Sequence, residues 1–234
     1  MRKRRSKSFI IPFLIVLGCI FVAVYIGVQL KKTISADTGV PVGTVLLIDP
    51  GHGGRDGGTS ASDGSVEKDL NLVISLPLYD MLRVMGYRAE MSRDSDCMLC
   101  DSGLKTLREQ KISDMKNRLK LYDQSRLTIS IHQNHFSQSQ YFGTQIFYGT
   151  KNAESKQLAT TIRQTVLGLL QPDNKREIKK ATKDIYLLSN TKAPAIIVEC
   201  GFLSNSDELA KLKSVEYQRK LAYAITCGVL EYDP

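Results

Sequence analysis

Tryptophan is absent from this sequence, and aromatic residues make up 7% of its 234 residues. Histidine is also scarce, with three residues, at positions 52, 132 and 135. The five cysteines are odd in number and irregularly spaced, which excludes the disulfide framework of a small secreted domain. With 42% hydrophobic and 24% charged residues, the composition is typical of a globular domain and excludes a disordered chain.

Acidic residues are absent from the first 32 positions, which carry seven Lys and Arg residues. These seven charges account for most of the net charge of +8, and the remainder carries +1. The charge balance therefore gives no support to nucleic-acid binding. The basic head, residues 1–8, precedes an uncharged stretch from Phe9 to Leu30 that is long enough to span a bilayer as a helix. We therefore predict a cytoplasmic amino terminus, a single-pass anchor at 9–30 in the cell membrane, and an extracytoplasmic domain after it.

A signal peptide is the alternative interpretation of residues 9–30. The stretch is longer than a usual signal-peptide core, and no clear small-x-small cleavage site follows it. Cys19 follows Leu-Gly as in a lipid-attachment site, but apolar residues continue beyond it, which favours a cysteine buried in the membrane. Residues 31–43 are small, polar and interrupted by proline and glycine, so we predict a linker there and a catalytic domain from 44 to 232.

Strand and helix patterns alternate along residues 44–232, which predicts an α/β domain with a mostly parallel or mixed sheet covered on both faces. Pro77 lies within the first helix and is expected to kink or interrupt it. The predicted strands are 44–49, 87–91, 127–132, 143–148, 185–188 and 195–199. The predicted helices are 67–85, 113–124, 152–170 and 214–230, with an irregular insertion at 93–112.

Chemically active side chains cluster at the ends of these elements. His52, in the glycine-rich loop IDPGHGG, and His132 each follow a predicted strand, where open α/β sheets keep their ligand crevices. Glu67 opens the first helix, and Glu199 ends the apolar strand AIIVE. Two imidazoles, one carboxylate and a second carboxylate beside them have the composition of a catalytic zinc site.

Other roles for these residues remain open from the pattern alone. Glu67 could stabilise a helix amino terminus through the helix dipole. A carboxylate beside Ile-Ile-Val in a central strand is rarely structural, so a functional role is favoured for Glu199. His135 could be a third ligand, a substrate contact or a surface residue. A Ser/His/Asp hydrolase is disfavoured because no G-x-S-x-G motif follows a strand.

Four segments, in order, resemble the zinc-dependent N-acetylmuramoyl-L-alanine amidase family. They are DPGHGG at 49–54, Glu67-Lys68 with Leu70-Asn71, SIHQN at 130–134 and PAIIVECGFLSN at 194–205. The resemblance implies that His52, Glu67 and His132 hold Zn²⁺, that Glu199 is the general acid/base, and that His135 is only a neighbour. It also implies one α/β domain with a mixed sheet of about six strands. Arg93 and Arg118 lie where the family often has arginine, and we interpret both as structural.

The family resemblance implies cleavage of the amide that joins N-acetylmuramic acid to the L-alanine of the peptidoglycan stem peptide. The membrane anchor and the lack of wall-binding repeats resemble the sporulation-specific branch. That branch removes stem peptides so that, with a muramic acid deacetylase, muramic δ-lactam forms in spore cortex. The expected location is then the space between forespore and mother-cell membranes. The irregular insertion and the compact site loops suggest control by an activating protein partner.

Three alternatives compete with this prediction. An anchored wall-binding module without activity would be expected to lack a ligand or the catalytic acid, and all four residues are present. A zinc carboxypeptidase would cut within the stem peptide. A redox protein would use Cys97 and Cys100. A structural zinc site at this pair is disfavoured, because the second cysteine pair that it needs is missing.

Overall fold

The computed structural model describes residues 45–232, together with Gly18. The predicted basic head, membrane anchor and linker therefore lie outside the described residues, apart from Gly18. Within the described part, no helix is both long and apolar enough to cross a bilayer.

Six strands form one sheet: β1 (Leu46–Pro50), β2 (Ala89–Met91), β3 (Leu127–Asn134), β4 (Gln145–Tyr148), β5 (Lys179–Lys180) and β6 (Ala195–Phe202). Their order is β2-β1-β3-β6-β4-β5. The four strands β2, β1, β3 and β6 run parallel, β4 is antiparallel to β6, and β5 is parallel to β4. The prediction of a mixed, mostly parallel sheet of about six strands is confirmed.

Helices cover the sheet because its central strands are buried on both faces, as apolar parallel strands require. On one face Leu47 and Ile197 pack with Tyr122 and Leu188. The helices are α1 (Glu67–Val84), α2 (Leu107–Gln124), α3 (Glu154–Leu169), α4 (Tyr186–Asn190), α5 (Ser206–Lys213) and α6 (Val215–Tyr232). Helices α1 and α6 pack together and α1 contacts β1 and β3, while α3 packs against α6.

Of the kink or interruption expected at Pro77, the interruption does not occur, because helix α1 continues through this residue to Val84. Two local predictions are wrong. Helix α2 begins at Leu107 rather than at 113, because Thr106 and Glu109 form a capping box. Residues 185–188, predicted as a strand, belong mostly to helix α4, since a short buried apolar run suits either element.

The register of the sheet determines where the site forms. Ile131 lies beside Pro50, and the Gly51 amide donates to the Ile131 carbonyl at 3.0 Å. His132 lies beside Glu199 on the adjacent strand. The carboxyl ends of β1, β3 and β6 therefore bring the glycine-rich loop, His132 and Glu199 to one edge of the sheet.

Candidate metal centre

His52, Glu67 and His132 converge at this edge, with one ligand atom from each within 4.8 Å of the others. Glu67 Oε1 lies 3.4 Å from His52 Nε2 and 3.0 Å from His132 Nδ1. The two imidazole rings meet edge to face, with centroids 5.0 Å apart. Two nitrogens and one carboxylate oxygen around a common point are a donor set that suits Zn²⁺.

Glycines make room for these side chains. A Cβ atom on Gly51 would lie 2.1 Å from Nε2 of His132, and one on Gly58 would lie 2.5 Å from Oε2 of Glu67. Neither position can therefore carry a larger residue without moving a group of the site. These contacts account for the glycines at positions 51 and 58.

Asp56 fixes the orientation of His52, a role that the sequence analysis missed. Its Oδ2 lies 2.8 Å from His52 Nδ1, which leaves Nε2 facing Glu67. A carboxylate on the far nitrogen of an imidazole is a common support for a metal ligand. Its Oδ1 pairs with Lys111 at 2.8 Å. The spacing His-x-x-x-Asp in the loop was the one signal in the sequence.

The backbone of His52 is strained. Among the described residues, His52 is the one non-glycine residue with a left-handed backbone, at φ 62°. Its carbonyl accepts a 2.6 Å hydrogen bond from Nη2 of the buried Arg118. Strain of this kind persists where the surrounding structure holds it, and it often marks a functional position.

Charges in the cluster shift the pKa values of its members. Burial opposes charge on His52, but hydrogen bonds to Asp56 and Glu67 outweigh it and raise its pKa to about 9. Burial of Glu67 is likewise outweighed by both imidazoles, which hold its pKa well below its usual range. The Glu67 carboxylate also accepts hydrogen bonds from the amides of Thr59 and Gln133. Glu67 is therefore a charged carboxylate between two imidazoles.

Glu199 is in a different environment. Its Oε2 atom is enclosed and has no hydrogen-bond partner within the described part of the chain. Burial, which opposes its charge, raises the pKa of Glu199 to about 7. A carboxyl group with a pKa near neutrality can both accept and donate a proton.

An open cleft of about 390 Å³ connects these groups to solvent. Its lining includes the polar groups of His52, His132 and Glu199 and the apolar side chains of Met115 and Ile185. His135 is exposed and belongs to no metal-capable group of the described residues, and Cys97 and Cys100 are free thiols. Three of the four predicted site residues therefore line the cleft, and the fourth, Glu67, contacts two of them, His52 and His132. His135 and both cysteines are not among the residues that line it.

Comparisons with known proteins agree with this geometry. The family model described as N-acetylmuramoyl-L-alanine amidase matches residues 46–231. The germination-specific N-acetylmuramoyl-L-alanine amidase of Bacillus subtilis is 35% identical over 81% of this chain and 80% of its own length.

Two solved structures are similar in fold. The CwlD amidase of Clostridioides difficile, in complex with the GerS lipoprotein, has a TM-score of 0.77 and 36% identity, covering 81% of this chain and 98% of that one. An N-acetylmuramoyl-L-alanine amidase from Clostridium difficile 630 has a TM-score of 0.70 and 31% identity, covering 81% and 96%. With a family match over most of its length and relatives above 30% identity, the chain belongs to the N-acetylmuramoyl-L-alanine amidase family.

Proposed function

We propose that this protein hydrolyses the amide between N-acetylmuramic acid and L-alanine in peptidoglycan, with His52, Glu67 and His132 holding Zn²⁺ and Glu199 moving the proton. The observation that carries the proposal is the Oε2 atom of Glu199, which has no hydrogen-bond partner among the described residues and whose side chain lines one cleft with His52 and His132. The family match supports the reaction. The two imidazoles and the carboxylate within 4.8 Å support the metal.

Each side chain then has one task in the reaction. A zinc ion at the three ligands would polarise the scissile carbonyl and make water more acidic. Glu199 accepts the proton of the attacking water as the new C–O bond forms. It returns that proton to the alanine nitrogen as the C–N bond breaks, so the products are the lactyl carboxylic acid and a free amino terminus. Asp56 keeps the His52 ring in place throughout.

The reaction is tested by digesting purified peptidoglycan with the full chain and analysing the products by mass spectrometry. The expected products are intact stem peptides with free L-alanine amino termini and glycan without peptides. Stripping the metal with a chelator should abolish their release, and Zn²⁺ should restore it. Shortened stems still attached to glycan would instead identify a carboxypeptidase and contradict the proposal.

The biological setting is proposed from the relatives. The name of the Bacillus subtilis relative supports a role in germination, in which stem removal and a muramic acid deacetylase together produce muramic δ-lactam in spore cortex. Deleting the gene in its native host should remove muramic δ-lactam from cortex digests. An unchanged δ-lactam content would exclude this role.

We also propose a membrane anchor at residues 9–30 with the catalytic domain outside the cytoplasm, on the uncharged stretch and the basic residues before it. When the chain is produced in vegetative cells, protease added to intact protoplasts should remove the domain, and its protection would contradict this topology. The complex of the CwlD amidase with a lipoprotein supports a protein partner for this chain too. Co-purification from membranes of sporulating cells tests for it, and recovery of the chain alone would count against it.

A further inference from the structure

Arg93 is buried directly after β2, with 3% of its surface exposed. Its guanidinium group donates to four backbone carbonyls from three separate segments. Nε donates to Pro50 at 2.9 Å, Nη1 to Ser95 at 3.0 Å, and Nη2 to both Gly51 at 2.9 Å and Lys68 at 2.8 Å. Arg93 is therefore bonded to the backbone of several segments at once.

The other buried arginine beside the loop is bonded differently. Arg118 pairs with the carboxylates of Asp49 and Asp114, which neutralise its charge. The hydrogen bonds of Arg93 within the described part go to carbonyl oxygens instead. Replacing Arg118 would leave buried carboxylates without their ion-pair partner, but replacing Arg93 would not. The effect of an Arg93 substitution therefore reports on the lost carbonyl contacts and not on an unpaired buried charge.

Two of the four carbonyls adjoin proposed metal ligands. Gly51 precedes His52, and Lys68 follows Glu67. A single nitrogen, Nη2, binds both carbonyls, so the backbone beside one ligand is joined to the backbone beside the other. These are two different elements, because Glu67 begins helix α1 and His52 lies in the strained loop before it.

We propose that Arg93 is a positioning residue for the metal: its guanidinium holds the His52 loop at a fixed distance from the Glu67 end of helix α1 before the ion binds. The inference rests on the proposed metal site. Its physical basis is that ligands already held in place lose less conformational entropy when the ion binds. Only the planar fork of arginine can reach carbonyls in several directions, so lysine is not an equivalent replacement.

A purely electrostatic role predicts the opposite sign. Arg93 carries a positive charge beside a cation site, so removing that charge should strengthen Zn²⁺ binding. A positioning role predicts that removal of the fork weakens binding whether or not the charge is kept. The variants Arg93→Met and Arg93→Lys separate these two explanations.

The experiment measures Zn²⁺ affinity of the full chain in detergent, after metal removal, by competition with a chromophoric chelator. Both Arg93 variants are expected to bind Zn²⁺ about 10- to 100-fold more weakly than wild type, the usual effect of losing an outer support of a metal site. The matched control is Arg83→Met, because Arg83 is exposed in the last turn of helix α1, where it donates to Tyr79. The control should bind as wild type does.

Three results would overturn the inference. Unchanged affinity in variants whose metal-free stability falls would make Arg93 merely structural. Tighter binding by Arg93→Met would favour the electrostatic explanation. A wild-type chain that fails to bind Zn²⁺ would remove the proposed metal site itself, an outcome distinct from the other two.

A measurement on the metal-free wild-type chain keeps the proposal testable if the variants do not fold. Because Arg93 joins the Gly51 and Lys68 segments, their amides should become exposed to hydrogen exchange with the same opening free energy. Clearly different opening free energies for Gly51 and Lys68 would show that the two segments move independently and would contradict the proposal.

Discussion

Asp49 and Glu199 are both carboxylates in strands of the same sheet, but they have opposite surroundings. Asp49 accepts hydrogen bonds from four side chains and is fully buried. The donors are Ser92, Arg118, Tyr122 and Ser130. Glu199 Oε2 is enclosed and has no partner within residues 45–232. The difference lies in the groups around each carboxylate and not in its own chemistry.

The pKa values follow from these surroundings. Burial opposes the charge of Asp49, but Arg118 and the hydroxyl donors outweigh it and lower the pKa to about 2. For Glu199 burial dominates, and the pKa rises to about 7. The comparison teaches that a fully satisfied carboxylate remains charged and stabilises the fold, while an unsatisfied one has a pKa near neutrality, as the proton transfer proposed for Glu199 requires.

The largest effect should come from Glu199→Gln, which removes the proton-accepting group and keeps the shape of the side chain. Release of stem peptides should fall about 10²- to 10⁴-fold, the usual contribution of a general acid/base. The melting temperature of the variant should be unchanged or higher, because an unpartnered buried charge is lost. Full activity, or a loss that merely follows reduced stability, would contradict the catalytic role.

Asp49→Asn should act on stability instead. It removes one of the two carboxylates that neutralise the buried Arg118 and should lower the free energy of unfolding by about 3 kcal/mol. Denaturant unfolding measures this, with the exposed Asp80→Asn as a control expected to change stability by less than about 0.5 kcal/mol. If both variants unfold at the same denaturant concentration, Asp49 is not the support that its contacts indicate.

The smallest effect should appear in acid. The pKa of Asp49 is about 2 in the folded protein, below the ordinary value of 3.8 that applies in the unfolded chain, so ionisation of Asp49 stabilises the fold. This stabilisation, about 2 kcal/mol, is fully present above pH 3.8 and is lost as the pH falls through about 2. The stability gap between wild type and Asp49→Asn should therefore narrow over that range. A gap of constant size between pH 5 and pH 2 would argue against the lowered pKa.

Much of the fold could be predicted because the buried strands are short apolar runs bounded by turn residues, as at Ala195–Phe202. Helix α4 could not, because the buried pair Leu187 and Leu188 suits a helical turn as well as a strand. The early start of helix α2 was available from Thr106 and Glu109 as a capping pattern. The start of helix α2 thus depends on local hydrogen bonds, which hydrophobic periodicity does not indicate.

The sequence by itself determined where the site forms, because His52, His132 and Glu199 follow or end apolar strands, and the carboxyl ends of parallel strands lie at one edge of the sheet. Only the tertiary structure decided how they are held. The support of His52 by Asp56, the carbonyl contacts of Arg93 and the unpartnered oxygen of Glu199 each join segments that the chain order leaves unrelated, or depend on what surrounds a side chain. Hydrogen bonding and burial depend on distances in space, and a linear pattern carries no information on those distances until the sheet register brings the segments together.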